Sequence, residues 1–351
     1  MPTTWVSPMP RAVRTERVGI PDLTVYSEGS PSVFVTGATG FIGRGLVAAL
    51  LDRGYAVSAL VLPAELDTVP GGVRAYPGDV ADPHTVCQAI ADARPQQVYH
   101  LAAVGLTNPG LPMADALRVN VGGLINVLEG ARATGGVQRL VLAGSSYEYG
   151  ARRADDDLDP FNAYSASKAA GWAFARAAHN AWDTPVVWVR PFQVYGPGQP
   201  PQALIPAAIR AALADRDFPT TRGEQQRDFV YVADVVKGLV AAGHAPAIEG
   251  RVLDLGTGTL TSVRQVIDRI WALTGSRGRI LAGALPYRPG EVPAIPASIG
   301  RTRLLTGWEA TRSLDEGLQL TIATLRDGDG RASGDAVARV PVRLLEGEYV
   351  D

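Results

Sequence analysis

From Ser32 onward the chain alternates short apolar runs with amphipathic stretches of helix length, the rhythm of a parallel sheet covered by helices on both faces. Residues 33–36 read as the first strand and 41–53 as the first helix, with strands following at 56–62 and 73–77. Asp82 ahead of Pro83 marks a helix over 83–93, because aspartate caps free N–H groups and proline suits the first helical position. Strands at 98–102, 139–143 and 186–189, with helices at 114–134 and 165–180, continue the alternation. No residue identities recur with it, so no internal repeat is read.

Past Gln193 the rhythm breaks into Pro-rich connections, helices at 205–213 and 233–242, and a strand at 251–255, the pattern of a smaller lobe. The predicted class is α/β, a doubly wound parallel sheet with a smaller C-terminal lobe. Its divisions are an arm (1–30), the sheet core (31–192), the lobe with strands returning to the core (193–325) and a tail (326–351). The arm is proline-rich and lacks the apolar stretch of a signal peptide, so it reads as an arm or a disordered leader. Within the tail, the Gly- and Asp-rich run 327–334 reads as a linker, and 337–351 is either an added strand or a partner contact.

Composition narrows the function classes. The 351 residues are 46% hydrophobic and 19% charged, and no apolar run reaches the roughly 20 residues that span a bilayer. A cytoplasmic protein without membrane contact is expected. The formal charge of −2 supplies no basic surface for a phosphate backbone, which excludes nucleic acid as a partner and leaves small phosphate-bearing ligands. The single cysteine, Cys87, rules out an internal disulfide framework, fits a reducing compartment and reads as a buried helix residue.

Two constellations carry chemistry. Gly37-Ala38-Thr39-Gly40-Phe41-Ile42-Gly43 stands where a strand turns into a helix, so that backbone N–H groups and a helix N-terminus can meet a pyrophosphate. A tight turn alone would also use such glycines. Tyr164-Ser165-Ala166-Ser167-Lys168 puts a phenol and an ammonium four residues apart on one helix face, where the positive charge favours phenolate and so suits proton transfer.

With these in register, the stretch from Val33 to about Ile322 resembles an extended short-chain dehydrogenase/reductase of the nucleotide-sugar epimerase/dehydratase family, which implies a Rossmann core with a substrate-binding lobe. Gly78-Asp79-Val80 matches the segment near the adenine, and Tyr99-His100-Leu101-Ala102-Ala103 the strand end along the cofactor, with His100 structural. Asn120-Val121-Gly122-Gly123 matches the family's N-V-x-G helix. In Gly144-Ser145-Ser146-Tyr147-Glu148-Tyr149-Gly150, Ser145 takes the place of the catalytic Ser/Thr, or Ser146 if the register slips by one.

Arg190-Pro191-Phe192-Gln193-Val194-Tyr195-Gly196-Pro197 resembles R-P-x-N-x-Y-G-P, with Gln193 replacing the usual Asn. Arg227, in Gln226-Arg227-Asp228-Phe229, and Arg288, in Tyr287-Arg288-Pro289-Gly290-Glu291, match the arginines that clamp the substrate diphosphate in relatives. The resemblance therefore implies catalytic Tyr164, Lys168 and Ser145. It implies a cofactor site of Gly37, Thr39, Gly40, Phe41, Ile42, Gly43, Asp79, Val80, Leu101, Ala102, Ala103, Tyr164, Lys168 and Pro191. Substrate contacts fall to Ser145, Ser146, Gln193, Arg227 and Arg288, with no metal. A nucleotide-diphosphate sugar is the implied substrate, and a homodimer through the helices at 114–134 and 165–180 the implied assembly.

The family's 4,6-dehydratases carry an Asp-Glu pair after the catalytic Thr; here Ser146 and Tyr147 stand there, which disfavours dehydration. The acidic residue that bonds the adenine ribose at the end of the second strand in NAD-holding epimerases would fall at Val61 or Leu62, and neither is acidic. That favours NADP(H) over NAD(H), with Arg44 or Arg53 to meet a 2′-phosphate. It also favours reduction of a 4-keto nucleotide sugar over 4-epimerisation, the alternative; a non-catalytic cofactor-binding role comes last because Tyr164 and Lys168 are both present.

Overall fold

The computed structural model describes residues 30–106, 108, 110–150, 159–287 and 294–329. The expectations for the N-terminal arm, for Arg288 and for the tail beyond 329 lie outside these residues.

Strand β1 (Ser32–Thr36) leads into helix α1 (Phe41–Leu51), followed by β2 (Ala56–Val61), a 3-10 turn over Pro63–Thr68, β3 (Val73–Pro77), α2 (Pro83–Ala93) and β4 (Gln97–His100). Helix α2 keeps the predicted bounds, because its start is a local device: the Asp82 carboxylate accepts from the His84 N–H. Helix α1 is shorter than predicted. It ends at Leu51, and the chain reverses through Gly54 at φ +77°, a left-handed conformation open to glycine.

The helix predicted over 114–134 has three parts: α3 (Met113–Asp115), a π-helical segment over Ala116–Gly122, and α4 (Gly123–Thr134). After β5 (Arg139–Ala143) and a 3-10 turn over Ser146–Tyr149 come α5 (Ala163–Trp182), β6 (Val186–Pro191) and β7 (Gln193–Tyr195). The rest of the chain supplies α6 (Leu204–Leu213), β8 (Phe218–Thr220), β9 (Gln226–Arg227), β10 (Phe229–Tyr231), α7 (Val232–His244), β11 (Val252–Leu255), β12 (Thr261–Ser262), α8 (Val263–Thr274), β13 (Ile280–Ala282), α9 (Ile299–Thr306) and α10 (Leu314–Asp329). The run expected to be a linker from 327 therefore begins inside a helix.

Seven strands form one sheet in the order β11-β6-β5-β4-β1-β2-β3, and every pairing in it is parallel. This is the doubly wound order extended by one strand, and β11 returns to the sheet from the later part of the chain. Side chains alternate across it. Val33 and Val35 face α1 and α7 (Leu46, Val47, Leu50, Val235, Leu239), while Phe34 faces the other layer, with Ile90 of α2 and Leu124 and Val127 of α4. A third core, built on Ile205, Ile209, Phe229, Val266, Ile267, Ile270 and Leu318, holds the smaller lobe. Cys87 on α2 is half-buried against α4, short of the full burial expected. Among the described residues no helix is long and apolar enough to cross a membrane.

The chain leaves β1 to one side for β2 and β3 and returns on the other as β4. The crevice beyond the C-terminal ends of β1 and β4 is thus the switch point where ligands of such sheets sit. The two motifs open onto this edge.

Candidate active site

The glycine loop is shaped by close backbone approach. Gly37 has φ +73°, and a Cβ there would stand 2.7 Å from the Ala102 N–H nitrogen and 2.9 Å from the Leu101 carbonyl carbon. A Cβ on Gly43 would overlap the Gly37 carbonyl oxygen. Strand β4 stops at His100, two residues short of the prediction, because Leu101 and Ala102 press on this loop and the Ala102 N–H turns to the Thr36 hydroxyl at 3.3 Å.

Gly40 caps α1 without any side-chain bond; Arg44 is the first residue whose N–H is bonded, to the Gly40 carbonyl, and among the described residues the N–H groups of Phe41, Ile42 and Gly43 have no partner. Uncapped donors, the helix dipole and a loop that excludes side chains fit a dinucleotide pyrophosphate. Thr39, Phe41 and Ile42 lie in the same loop. Val80 is buried against Gly123 of α4, and Asp79 beside it accepts from the Ala81 N–H and pairs with Arg118 at 3.3 Å on the crevice rim.

The Tyr/Lys pair lies on the buried face of α5, whose start is fixed by Asn162 and Ser165 in a reciprocal capping box. The Lys168 ammonium donates to the Ala143 carbonyl at the end of β5, at 2.7 Å, and lies 5.9 Å from the centre of the Tyr164 ring. Burial drives the Lys168 pKa down from 10.5 to about 8, partly offset by the Glu148 charge. Burial also raises the Tyr164 phenol above its usual value; a hydrogen bond from the Ser145 side chain acts the other way, and the Glu148 and Tyr147 charges add to the rise. Desolvation dominates the phenol, and the push toward phenolate expected from the lysine does not figure among the influences on it.

Ser145 rather than Ser146 stands at the phenol. Ser146 lines the adjoining cleft with Tyr147, Phe161, Gln193 and Arg227. Tyr147 joins the two, its ring edge-on to Phe161 at 5.3 Å and to Tyr164 at 6.2 Å.

Supporting groups fix this arrangement. Asn120, turned inward by the π-helical segment, accepts from the Val104 N–H at 2.8 Å and donates to the Val104 carbonyl and the Ser167 hydroxyl, tying the loop after β4 to α5. His100 is buried, bonded to Thr36 at 2.8 Å and pushed by burial to a pKa of about 3, so it is a neutral structural group. Pro191 ends β6, and Gln193 begins β7 with its N–H on the Asp228 carbonyl. Arg227 lines the cleft, whereas the neighbouring Asp228 carboxylate is spent on the backbone of Thr257, Gly258 and Ala297. Arg53 bonds the Ala49 carbonyl at the far end of α1, about 15 Å of helix away from the glycine loop. It cannot meet a phosphate there.

Two acidic residues escaped the sequence reading. Glu148 is 4% exposed. It accepts from the Ser145 N–H at 2.6 Å, the Trp188 indole at 3.0 Å and the Arg190 Nε at 2.7 Å, so the backbone of the candidate serine hangs on a buried ion pair. Arg190 goes on to Tyr149, which donates to Asp254 of β11. Glu65, in the turn after β2, accepts from the Thr39 hydroxyl at 2.6 Å. The visible signal for Glu148 was a charge inside a strand-end motif; Glu65 gave none.

A family model described as the NAD dependent epimerase/dehydratase family matches residues 33–256. A UDP-glucose 4-epimerase of Mycolicibacterium smegmatis is 31% identical over 320 residues, 84% of this chain and 98% of that protein. The solved structure of epimerase Mth375 from Methanothermobacter thermautotrophicus superposes with a TM-score of 0.78 at 28% identity, covering 86% of this chain and 94% of the other. MoeE5, solved with UDP-glucuronic acid and NAD, superposes with a TM-score of 0.74 at 33% identity over 85% and 99% of the two chains.

Proposed function

The chain belongs to the NAD-dependent epimerase/dehydratase family of extended short-chain dehydrogenases, and from that premise we propose that it is an NAD-dependent 4-epimerase of a UDP-linked hexose. The observation that carries this reading is the convergence of Ser145, Tyr164 and Lys168 at the sheet's switch point, in a chain that resembles UDP-glucose 4-epimerase along nearly that enzyme's whole length.

In this reading Tyr164 acts as the phenolate, the form that positive charge from Lys168 and a bound nicotinamide would favour against the desolvation; it takes the proton of the sugar 4-hydroxyl and later returns it. Lys168, held by the Ala143 carbonyl, supplies positive charge beside the phenol, and Ser145 bonds the reacting oxygen. Bound NAD supplies hydride acceptance and return at the sugar carbon. Gln193 and Arg227 hold the substrate from the lobe side, with Arg227 toward the diphosphate.

Dehydration lacks its acid and base: Ser146 and Tyr147 stand where the Asp-Glu pair would, and Glu148 beyond them is bonded on both oxygens and buried. Reduction of a 4-keto sugar with NADPH drew its support from the missing carboxylate at Val61 and Leu62. The presence of Glu65 beside the loop weakens that inference, and MoeE5 is solved with NAD. A homodimer through α4, α5 and the π-helical segment accords with exposed Leu117 and Phe174.

The test is incubation with NAD and UDP-glucose, UDP-galactose or UDP-glucuronate, following product by NMR and the nicotinamide absorbance together. Interconversion of C4 epimers with no net change in reduced cofactor is expected. Stoichiometric consumption of reduced cofactor by a 4-keto sugar, with no epimer formed, would replace this reading by the reductase.

A further inference from the structure

We infer that Glu65 accepts the adenosine ribose hydroxyls, in place of the acidic residue missing from the end of β2, and thereby selects NAD over NADP. The inference rests on the dinucleotide site but not on which sugar reaction follows.

The end of β2 is next to the glycine loop: Leu60 pairs with Thr36, the residue before Gly37, and Val61 accepts from the Gly78 N–H. In sheets of this order the adenosine ribose lies over that strand end, beside the loop that holds the pyrophosphate. The two side chains directly there cannot accept a diol. Val61 is buried and Leu62 is exposed and apolar.

Pro63 then starts a 3-10 turn that carries the chain back, so that Glu65, in its first turn, reaches Thr39 in the middle of the glycine loop at 2.6 Å. Glu65 is half-buried, and among the described residues only Thr39 bonds its carboxylate. One oxygen is thus anchored by the loop while the other is left for a ligand, on the wall where the ribose would lie. A carboxylate with an open oxygen suits two vicinal hydroxyls, which donate, and opposes a 2′-phosphate, which carries like charge and can only accept. The competing cation is Arg44 in the first turn of α1, whose buried Nε has no acceptor among the described residues. Were it to rule the subsite, NADP would bind better than NAD.

The experiment is isothermal titration of nucleotide-free protein with NAD, NADP, ADP and 2′,3′-dideoxyadenosine diphosphate. Wild type, Glu65→Gln, Glu65→Ala and the neighbouring Asp67→Asn are compared, with thermal melts to establish folding. Wild type and Asp67→Asn should bind NAD at least about 10-fold tighter than NADP, the scale of one charged hydrogen bond. Glu65→Gln should lose about 10-fold for NAD, narrow the gap to NADP, and abolish the preference of wild type for ADP over its dideoxy analogue.

NADP binding wild type as tightly as NAD overturns the inference. So does a Glu65 variant that weakens ADP and dideoxy-ADP equally, which would reduce the residue to a strut for Thr39. Failure of wild type to bind either dinucleotide would sink the cofactor site and this inference together, whereas normal NAD binding with no effect of Glu65 sinks this inference alone.

Discussion

Replacing Lys168 by methionine removes a charge that the fold holds at a cost. Lys168 is 6% exposed, and burial brings its pKa from 10.5 to about 8. At about 1.4 kcal/mol per pKa unit, the protonated ammonium costs the folded state on the order of 3 kcal/mol relative to the neutral amine. Methionine has similar length and no charge, but it strands the Ala143 carbonyl that Lys168 now satisfies at 2.7 Å. A stranded buried acceptor costs about 1–2 kcal/mol. The net expectation is a variant more stable than wild type by about 1–2 kcal/mol at pH 7, and inactive.

The pH dependence follows from the direction of the shift. Because the folded pKa lies below the unfolded one, the cost is fully present below pH 8, shrinks as pH rises from about 8 to 10.5, and is absent above. There the variant should lose its advantage and show only the stranded carbonyl. Urea unfolding of both cofactor-free proteins at several pH values between 7 and 10.5 gives the difference directly, and groups common to both cancel in it. A methionine variant less stable at pH 7 by more than about 1 kcal/mol, or a difference that does not change across that window, would refute the reasoning.

Tyr164→Phe should lower turnover by about 10²–10⁴-fold while NAD affinity stays within a few-fold, measured by single-turnover assay and titration; retained turnover would remove the phenol from the mechanism. Gly43→Ala puts a Cβ into the Gly37 carbonyl, so NAD affinity should fall at least about 10-fold with the protein still folded, and unchanged affinity would mean that the loop has room to shift. Arg190→Met leaves the Glu148 carboxylate buried without its guanidinium, an expected loss of about 3–5 kcal/mol. Since burial raises the Glu148 pKa, protonation relieves that charge as pH falls, so the melting temperature should drop less at pH 5 than at pH 8. An equal drop at both would indicate that packing, not charge, is what the pair supplies.

What was legible in the sequence is what short-range chemistry decides. Helix α2 kept its predicted bounds because Asp82 and Pro83 specify its start locally, and β3 and β5 are each ended by a glycine that follows directly, Gly78 and Gly144. The glycine loop and the Tyr164/Lys168 spacing were equally plain, since each motif is a local geometry written in consecutive residues. The helix at 114–134 was read as uniform because its π-helical widening is stabilised by what Asn120 touches, namely Val104 and Ser167, and neither is near it in sequence. The position of Glu65 beside the glycine loop is hidden from the sequence for the same reason. Counting from the end of β2 asks which residue the strand presents, but the turn after Pro63 brings back a residue three beyond Leu62 and fastens it to Thr39 of the glycine loop. A strand-end rule encodes a position in space through a position in sequence, and one turn of 3-10 helix is enough to separate the two. The same holds for Glu148, whose neighbours at Trp188 and Arg190 come from the adjacent strand β6. In both cases the missed residue is a carboxylate whose partner lies on another element. Motif reading finds the groups that could do chemistry; it does not find the groups that hold them in place, because those are selected by tertiary contact.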